Sequence, residues 1–311
     1  MTTVLVTGAA GFLGRAFVRE HLKRGDRVLG VDDLSSFHAY WPDELPEPYR
    51  HTIDIRSWFR KYQDNDYRWD LAYHFAAPVG GRAKIEGDPL FNADSLGIDA
   101  AFFRWAIDHI GIAVFPSSSA VYGAALQEGN GTLLEESFFH ADAIVWDAPD
   151  ELYGLTKLVG EILAWKSEKY GLNTLCIRPF SGYGPGQSLE YPVPSILTRA
   201  KRREDPLVVW GTGEQKRDFV YIDDVVGATL ARLAAGVHGY QTMNIASGRA
   251  ISFHQVAQMA AGLVGYEPEI KELTDKPSGV SSRFGSPARM QQFYKLRVPL
   301  AEGLLRTLGT L

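Results

Sequence analysis

The chain has 311 residues, 45% hydrophobic, 22% charged and 12% aromatic, which excludes a disordered chain, a collagen-like repeat and a small disulfide scaffold. A net charge of -5 and a pI near 5.9 leave no broad basic field for a nucleic-acid backbone or an anionic membrane. The lone Cys176 allows neither an internal disulfide nor a multi-cysteine metal site, and the eight histidines lack metal-ligand spacing, so no metal is expected. With no membrane-length apolar run and no apolar leader ahead of Val4, a soluble cytoplasmic protein is expected.

Residues 4–7 read as a strand and 12–24 as a helix closed by Gly25. Strands follow over 27–32, 51–55 and 71–77, then a long helix over 89–110 and a strand over 113–118. Pro149 and Asp150 open a helix that ends at Tyr170 and Gly171, and 174–180 form a further strand. Near-continuous apolar strands separated by helices predict an α/β fold, a doubly wound parallel Rossmann sheet covered on both faces. Beyond 180 the elements shorten and Gly and Pro become frequent. Residues 1–180 are therefore expected to form the first domain. Residues 181–311 are expected to form a smaller α/β lobe over the strand ends, with some return of chain to the first domain. The 26 residues 124–149 are too long for a plain connection and are expected to form a lid or a dimer contact.

Gly8-Ala9-Ala10-Gly11-Phe12-Leu13-Gly14 joins the first strand to the first helix. Gly8 permits the tight turn, Gly11 a close approach of backbone to a pyrophosphate, and Gly14 close helix–strand packing. The helix start at Phe12 and Leu13 offers free N–H groups and a positive dipole end to phosphates. The second strand ends in Asp32, 18 residues after Gly14, where a carboxylate accepts both ribose hydroxyls and repels a 2′-phosphate. This predicts NAD rather than NADP. Asp54 either accepts from the adenine amino group or caps the helix after it. Ala76 and Ala77 end a strand with small side chains, which suits either a nearby dinucleotide or tight packing.

Ser117-Ser118-Ser119-Ala120-Val121-Tyr122-Gly123 closes the next strand, and Tyr153 and Lys157 stand four apart on a helix, hence on one face. A free phenol is a poor base at neutral pH, and a neighbouring ammonium favours its ionised form. With a serine to hold the same oxygen, this set can move a proton on and off a carbinol while a hydride leaves the carbon.

Together these segments resemble the extended short-chain dehydrogenases/reductases, specifically the NAD-dependent nucleotide-sugar epimerase/dehydratase group. The resemblance continues through His74-Phe75-Ala76-Ala77, Arg178-Pro179-Phe180, Tyr183-Gly184-Pro185-Gly186-Gln187, Gly211-Thr212-Gly213-Glu214, Arg217-Asp218-Phe219-Val220-Tyr221 and Asn244-Ile245-Ala246-Ser247-Gly248. It implies that Tyr153 is the base, that Lys157 binds the nicotinamide ribose and tunes the tyrosine, and that Ser118 holds the reacting oxygen. It also implies that Pro179 lies at the cofactor and Ser119 beside the sugar. Arg217 is expected on the nucleotide diphosphate, the alternative being a surface pair with Asp218 or Glu214. Two positions depart from the group's usual asparagine: Asp94 and Ser181.

Members of the group begin by oxidising the sugar at C4. Dehydratases and decarboxylases of the group set acids, and 3,5-epimerases a cysteine, in the two places after the catalytic Ser or Thr. Here those places hold Ser119 and Ala120. What is left is oxidation at C4, rotation of the 4-keto sugar and hydride return: a 4-epimerase of a nucleotide sugar, with a UDP-hexose or UDP-uronate favoured. Arg82, after Gly80 and Gly81, stands where glucuronate 4-epimerases of the group also carry arginine and is a candidate for a C6 carboxylate, for the diphosphate or for a solvated position. A dehydratase, decarboxylase or keto-reductase is the alternative, and a non-catalytic NAD sensor would be expected to lack the Tyr or the Lys. The helices 89–110 and 149–170 carry apolar residues all round, including Phe102, Phe103, Trp105, Leu163 and Trp165. The resemblance implies that they pair across a two-fold axis as a four-helix bundle, so a homodimer is expected, the alternative being that the smaller lobe buries them within one chain.

Overall fold

The computed structural model describes residues 1–36, 38–138 and 149–311. β1 (Thr3–Thr7) buries both of its faces: Val4 and Val6 join Phe17 in one core, and Leu5 joins Ala72 and Phe115 in the other. That is the period-two consequence of an apolar run in a central strand. It is flanked by β2 (Arg27–Asp32), β3 (Arg50–Thr52), β4 (Trp69–His74) and β5 (Ile110–Pro116), with the strands Asn173–Pro179 and Tyr240–Ile245. From edge to edge the order is 240–245, 173–179, β5, β4, β1, β2, β3, and every pairing is parallel. The order reverses between β1 and β4, which opens the crevice where such sheets bind ligands.

The helices up to residue 201 are α1 (Phe12–Lys23), α2 (Ile55–Lys61), α3 (Arg82–Gly87), α4 (Asp94–His109), α5 (Glu151–Ser167) and α6 (Pro192–Lys201). Several bounds differ from those expected, for local reasons. β3 stops at Thr52 because Asp54 turns the chain into α2, its carboxylate accepting the Ser57 N–H at 3.0 Å. The long helix expected from 89 begins with a 3-10 turn, Pro89–Ala93, capped by Asp88. The loop after β4 contains α3, which starts at Arg82 itself. α5 gives way at Ser167 to a 3-10 turn that Gly171 ends at φ 87°, a conformation glycine adopts at no steric cost.

Phe102, Phe103 and Trp105 of α4 are buried against Phe59 and Trp58 of α2 and Phe115 of β5. They are core residues of one chain, while Leu163 and Trp165 of α5 are half-buried. Two segments exchange places between the halves. Tyr240–Ile245 returns to the main sheet, while Leu133–Leu134 pairs with Ser282–Gly285 in a small sheet of the second lobe. The stretch expected as a lid or dimer contact, 124–149, thus begins beside that small sheet, and its residues 139–148 lie outside the described residues. No helix among the described residues is long and apolar enough to cross a membrane.

Candidate active site

The glycine turn is shaped by exclusion. Gly8 has φ +66°, and a Cβ there would lie 2.5 Å from the Phe75 carbonyl carbon; one on Gly14 would lie 2.0 Å from Gly8 O. Gly11 is the N-cap of α1 and offers no capping side chain, so the first-turn N–H groups of Phe12 and Leu13 keep no helical acceptor. At the end of β2, Asp32 accepts the N–H groups of Ala10 and Leu34 at 2.9 and 2.8 Å. Burial pushes its carboxyl above the ordinary range against those two bonds. A carboxylate has about four acceptor sites, so Asp32 retains capacity for ribose hydroxyls. Ala76 and Ala77 follow β4 beside the turn, and the Ala76 N–H donates to Thr7 Oγ1 at 3.2 Å. Of the two roles open to Asp54, the structure shows the cap, with a second partner in Arg56 at 2.8 Å.

The trio expected to be catalytic, Ser118, Tyr153 and Lys157, lies where β5 ends and α5 begins. Pro116 closes the strand two residues earlier than expected, and Ser118 caps a 3-10 turn, its Oγ accepting the Ala120 N–H at 3.1 Å. Gly154 presses against that turn, since a Cβ there would lie 2.3 Å from Ala120 O. Lys157 is 4% exposed. Its Nζ is 5.3 Å from the Phe115 ring centroid and 6.0 Å from that of Tyr153. It has no ion-pair partner among the described residues. A largely buried side chain whose ammonium meets no counter-ion among the described residues favours an added acceptor, and a ribose diol would supply two. Uncapped N–H groups, a glycine cradle, a carboxylate and this ammonium all fit NAD.

One turn beyond Lys157, Glu161 forms a buried frame. Arg178 donates to its two carboxylate oxygens at 2.8 and 2.7 Å. Tyr240 donates to it at 2.8 Å, and Ser117 Oγ donates as well. Burial opposes the Glu161 charge, but Arg178 holds its carboxyl below the ordinary range. Tyr153, Lys157 and Glu161 repeat every four residues; the third member was not singled out from the sequence although the spacing was there to see.

Ser118, Ser119, Tyr153, Pro179 and Ser181 line a cavity of about 360 Å³ together with Arg82 and Arg217. The structure thus gathers the expected substrate residues, while Asp94 sits exposed on the first turn of α4. Arg217 pairs with neither Asp218 nor Glu214. Its guanidinium donates to the carbonyls of Lys216, Val280 and Ser278, and Asp218 is taken up by Ser247, Gly248 and Gly285. Desolvation, then the nearby Arg283, pushes Arg217 down to about 9, so the wall still carries its charge at neutral pH and favours an anion. The sequence reading did not single out the charged cavity residues Asp150, Arg283 and Glu190. Glu190 is exposed at the rim, where its carboxylate accepts the Gly81 N–H at 3.4 Å. Burial, with Tyr153 close by, pushes the Tyr191 phenol up. No side-chain cluster among the described residues is suited to a metal.

A glycine-turn Rossmann sheet with this trio at its strand ends defines an NAD-dependent enzyme class. The chain belongs to the NAD dependent epimerase/dehydratase family, whose sequence pattern matches residues 4–246. It is 31% identical to a dTDP-4-dehydro-6-deoxy-D-allose reductase of Streptomyces bikiniensis, over 98% of this chain and 94% of that one. It is 30% identical to a UDP-glucuronate 4-epimerase of Thermodesulfobacterium geofontis, with the same coverage. Among solved structures, the UDP-glucuronic acid 4-epimerase of Bacillus cereus, in complex with UDP-glucuronic acid and NAD, matches at 25% identity. Its TM-score is 0.82, over 99% of this chain and 98% of that one.

Proposed function

We infer that the protein inverts C4 of a nucleotide sugar, a UDP-hexose or UDP-uronate, through a transient 4-keto sugar. The carrying observation is the turn after β5. Ser118, Ser119 and Ala120 present two hydroxyls and a methyl where dehydratases and decarboxylases of the family set carboxylates. NAD, when bound, takes up the C4 hydride and gives it back. Ser118 holds the sugar O4 and Tyr153 removes its proton. Lys157 orients the nicotinamide ribose and places positive charge beside the phenol. Arg217 and Arg283 grip the diphosphate, so the freed sugar ring turns about a fixed anchor. Tyr153 then returns its proton to O4, and the product differs from the substrate only in configuration. Glu190, at the rim and tied to the Gly81 backbone, is assigned no proton transfer.

The test is incubation with UDP-glucose, UDP-galactose and UDP-glucuronate without added reductant, with the C4 configuration read by NMR. C4 epimers are expected; a 6-deoxy-4-keto product or released carbon dioxide would refute the reading. The full-length similarity to a 4-keto-sugar reductase favours one second reading, net reduction by the same trio. It predicts stoichiometric consumption of NADH and no product without it. A homodimer through α4 and α5 belongs to the same proposal. With the α4 aromatics buried, it rests on α5, where Leu155 is 44% exposed, and light scattering tests it.

A further inference from the structure

Three arginines from distant segments meet on one wall of the cavity. A Cβ on Gly279 would lie 3.2 Å from Arg82 Cζ and 3.3 Å from a terminal nitrogen of Arg217, and Arg283 is close enough to depress Arg217. The carboxylate set among them is Asp150, the N-cap of α5. Its Oδ1 and Oδ2 accept from Arg82 Nη1 at 2.9 and 3.0 Å, and Oδ2 accepts from Arg283 as well. Burial opposes its charge, yet Arg283 and Arg82 hold the carboxyl below the ordinary range, so it is ionised at neutral pH. Arg82 is occupied further by Glu86 and, at 3.9 Å, by Glu151.

We propose that Asp150 is a built-in counter-ion that selects nucleotide sugars with an uncharged C6 arm, hydroxymethyl or methyl, against 6-carboxylates. Among the described residues of this wall, Arg82 and Arg283 share Asp150, Arg82 also meets Glu86 and Glu151, and Arg217 donates to carbonyls and to no carboxylate. A nucleoside diphosphate ester brings two negative charges to these groups. A uronate adds a third, and the cation that would receive it, Arg82, is already saturated with carboxylates. Asp150 and Tyr153 line the same cavity, so a sugar presented to that phenol shares the cavity with the aspartate. A second carboxylate there meets like charge without a free partner, a repulsive element of specificity.

The inference rests on Arg217 and Arg283 holding a diphosphate, and binding tests it independently of turnover. Calorimetry on the NAD-loaded protein compares UDP-glucose with UDP-glucuronate and, in parallel, dTDP-glucose with dTDP-glucuronate. The neutral sugar is expected to bind at least tenfold tighter. Asp150→Asn should bring the ratio within about threefold of unity, mainly by gain for the uronate, while Asp150→Glu should keep the preference. Equal binding by the natural protein, or an unchanged ratio in Asp150→Asn, overturns the proposal. If Asp150→Asn fails to fold, salt decides: the preference should shrink between 20 and 300 mM salt, because screening weakens charge repulsion, and a salt-independent ratio overturns it. No binding of any of the four compounds overturns it together with the nucleotide-sugar reading. A neutral-sugar preference without C4 inversion leaves it standing and removes the epimerase assignment alone.

Discussion

The glycine turn, expected on the cofactor side, and the arginine wall of the cavity, expected on the substrate side, are suited to holding an anion in different ways. On the cofactor side the donors are backbone N–H groups at the start of α1, held open by glycines whose replacement would collide with main chain. On the substrate side they are guanidinium groups from residues 82, 217 and 283, held in place by carbonyls and by Asp150. A backbone site is fixed by the fold and has no charge to balance. A side-chain site carries net charge and must be balanced locally, which makes it the place where specificity can change with single substitutions.

Breaking the shared floor should have the largest effect. Tyr153→Phe is expected to lower turnover by about 10³-fold while leaving NAD bound, measured by product NMR and by cofactor content. Next comes the frame under both sides. Arg178→Ala leaves Glu161 charged and buried among Ser117 and Tyr240, at a cost of about 3–5 kcal/mol in urea unfolding, and Arg178→Met with Glu161→Leu should recover most of it. Arg217→Ala should separate the two sides. Loss of charge-assisted bonds worth about 1.5–3 kcal/mol raises the nucleotide-sugar KM roughly 10–100-fold, with NAD affinity unchanged. An Arg217→Ala enzyme that lost NAD instead would show that the sides are not separable.

The smallest expected effect is a pH dependence seated under the cofactor turn. His74 joins Thr7 of β1 to Asp99 of α4 at 2.9 and 3.2 Å. Burial depresses it below its ordinary 6.5 despite the pull of Asp99. The unfolded chain therefore binds a proton near pH 6.5 that the folded protein declines, so this contribution is complete above 6.5 and lost as pH falls toward the folded value. His21 and His51, also depressed by burial, act in the same direction. Melting temperature should be flat from pH 8 to 7 and fall below 6.5, less steeply in His74→Gln. A flat profile down to pH 5.5 would show that the imidazole protonates without penalty.

The same division governs what the sequence discloses. The glycine turn, Asp32 and the Tyr153–Lys157 spacing each lie within one strand–helix unit, so local periodicity places them. Asp150 and Arg283 are 133 residues apart, and nothing in the chain near either one announces the pair. The aromatic residues of α4 illustrate the opposite error. Phe102, Phe103 and Trp105 look like surplus along a helix, because the surface that buries them comes from α2 and β5, which a helical pattern does not reveal. Asp54 shows a third case, where one carboxylate suits two tasks and the local geometry shows a capped helix.

Arg15, 2% exposed, bonds at once to Ala10 O in the glycine turn, His38 O after β2 and Gly186 O in the second lobe, with Tyr40 3.8 Å beneath it. One planar cation thereby latches both lobes over the dinucleotide crevice. These tethers hold the glycine turn expected to seat the coenzyme, and NAD is expected to travel with the polypeptide through gel filtration like a prosthetic group.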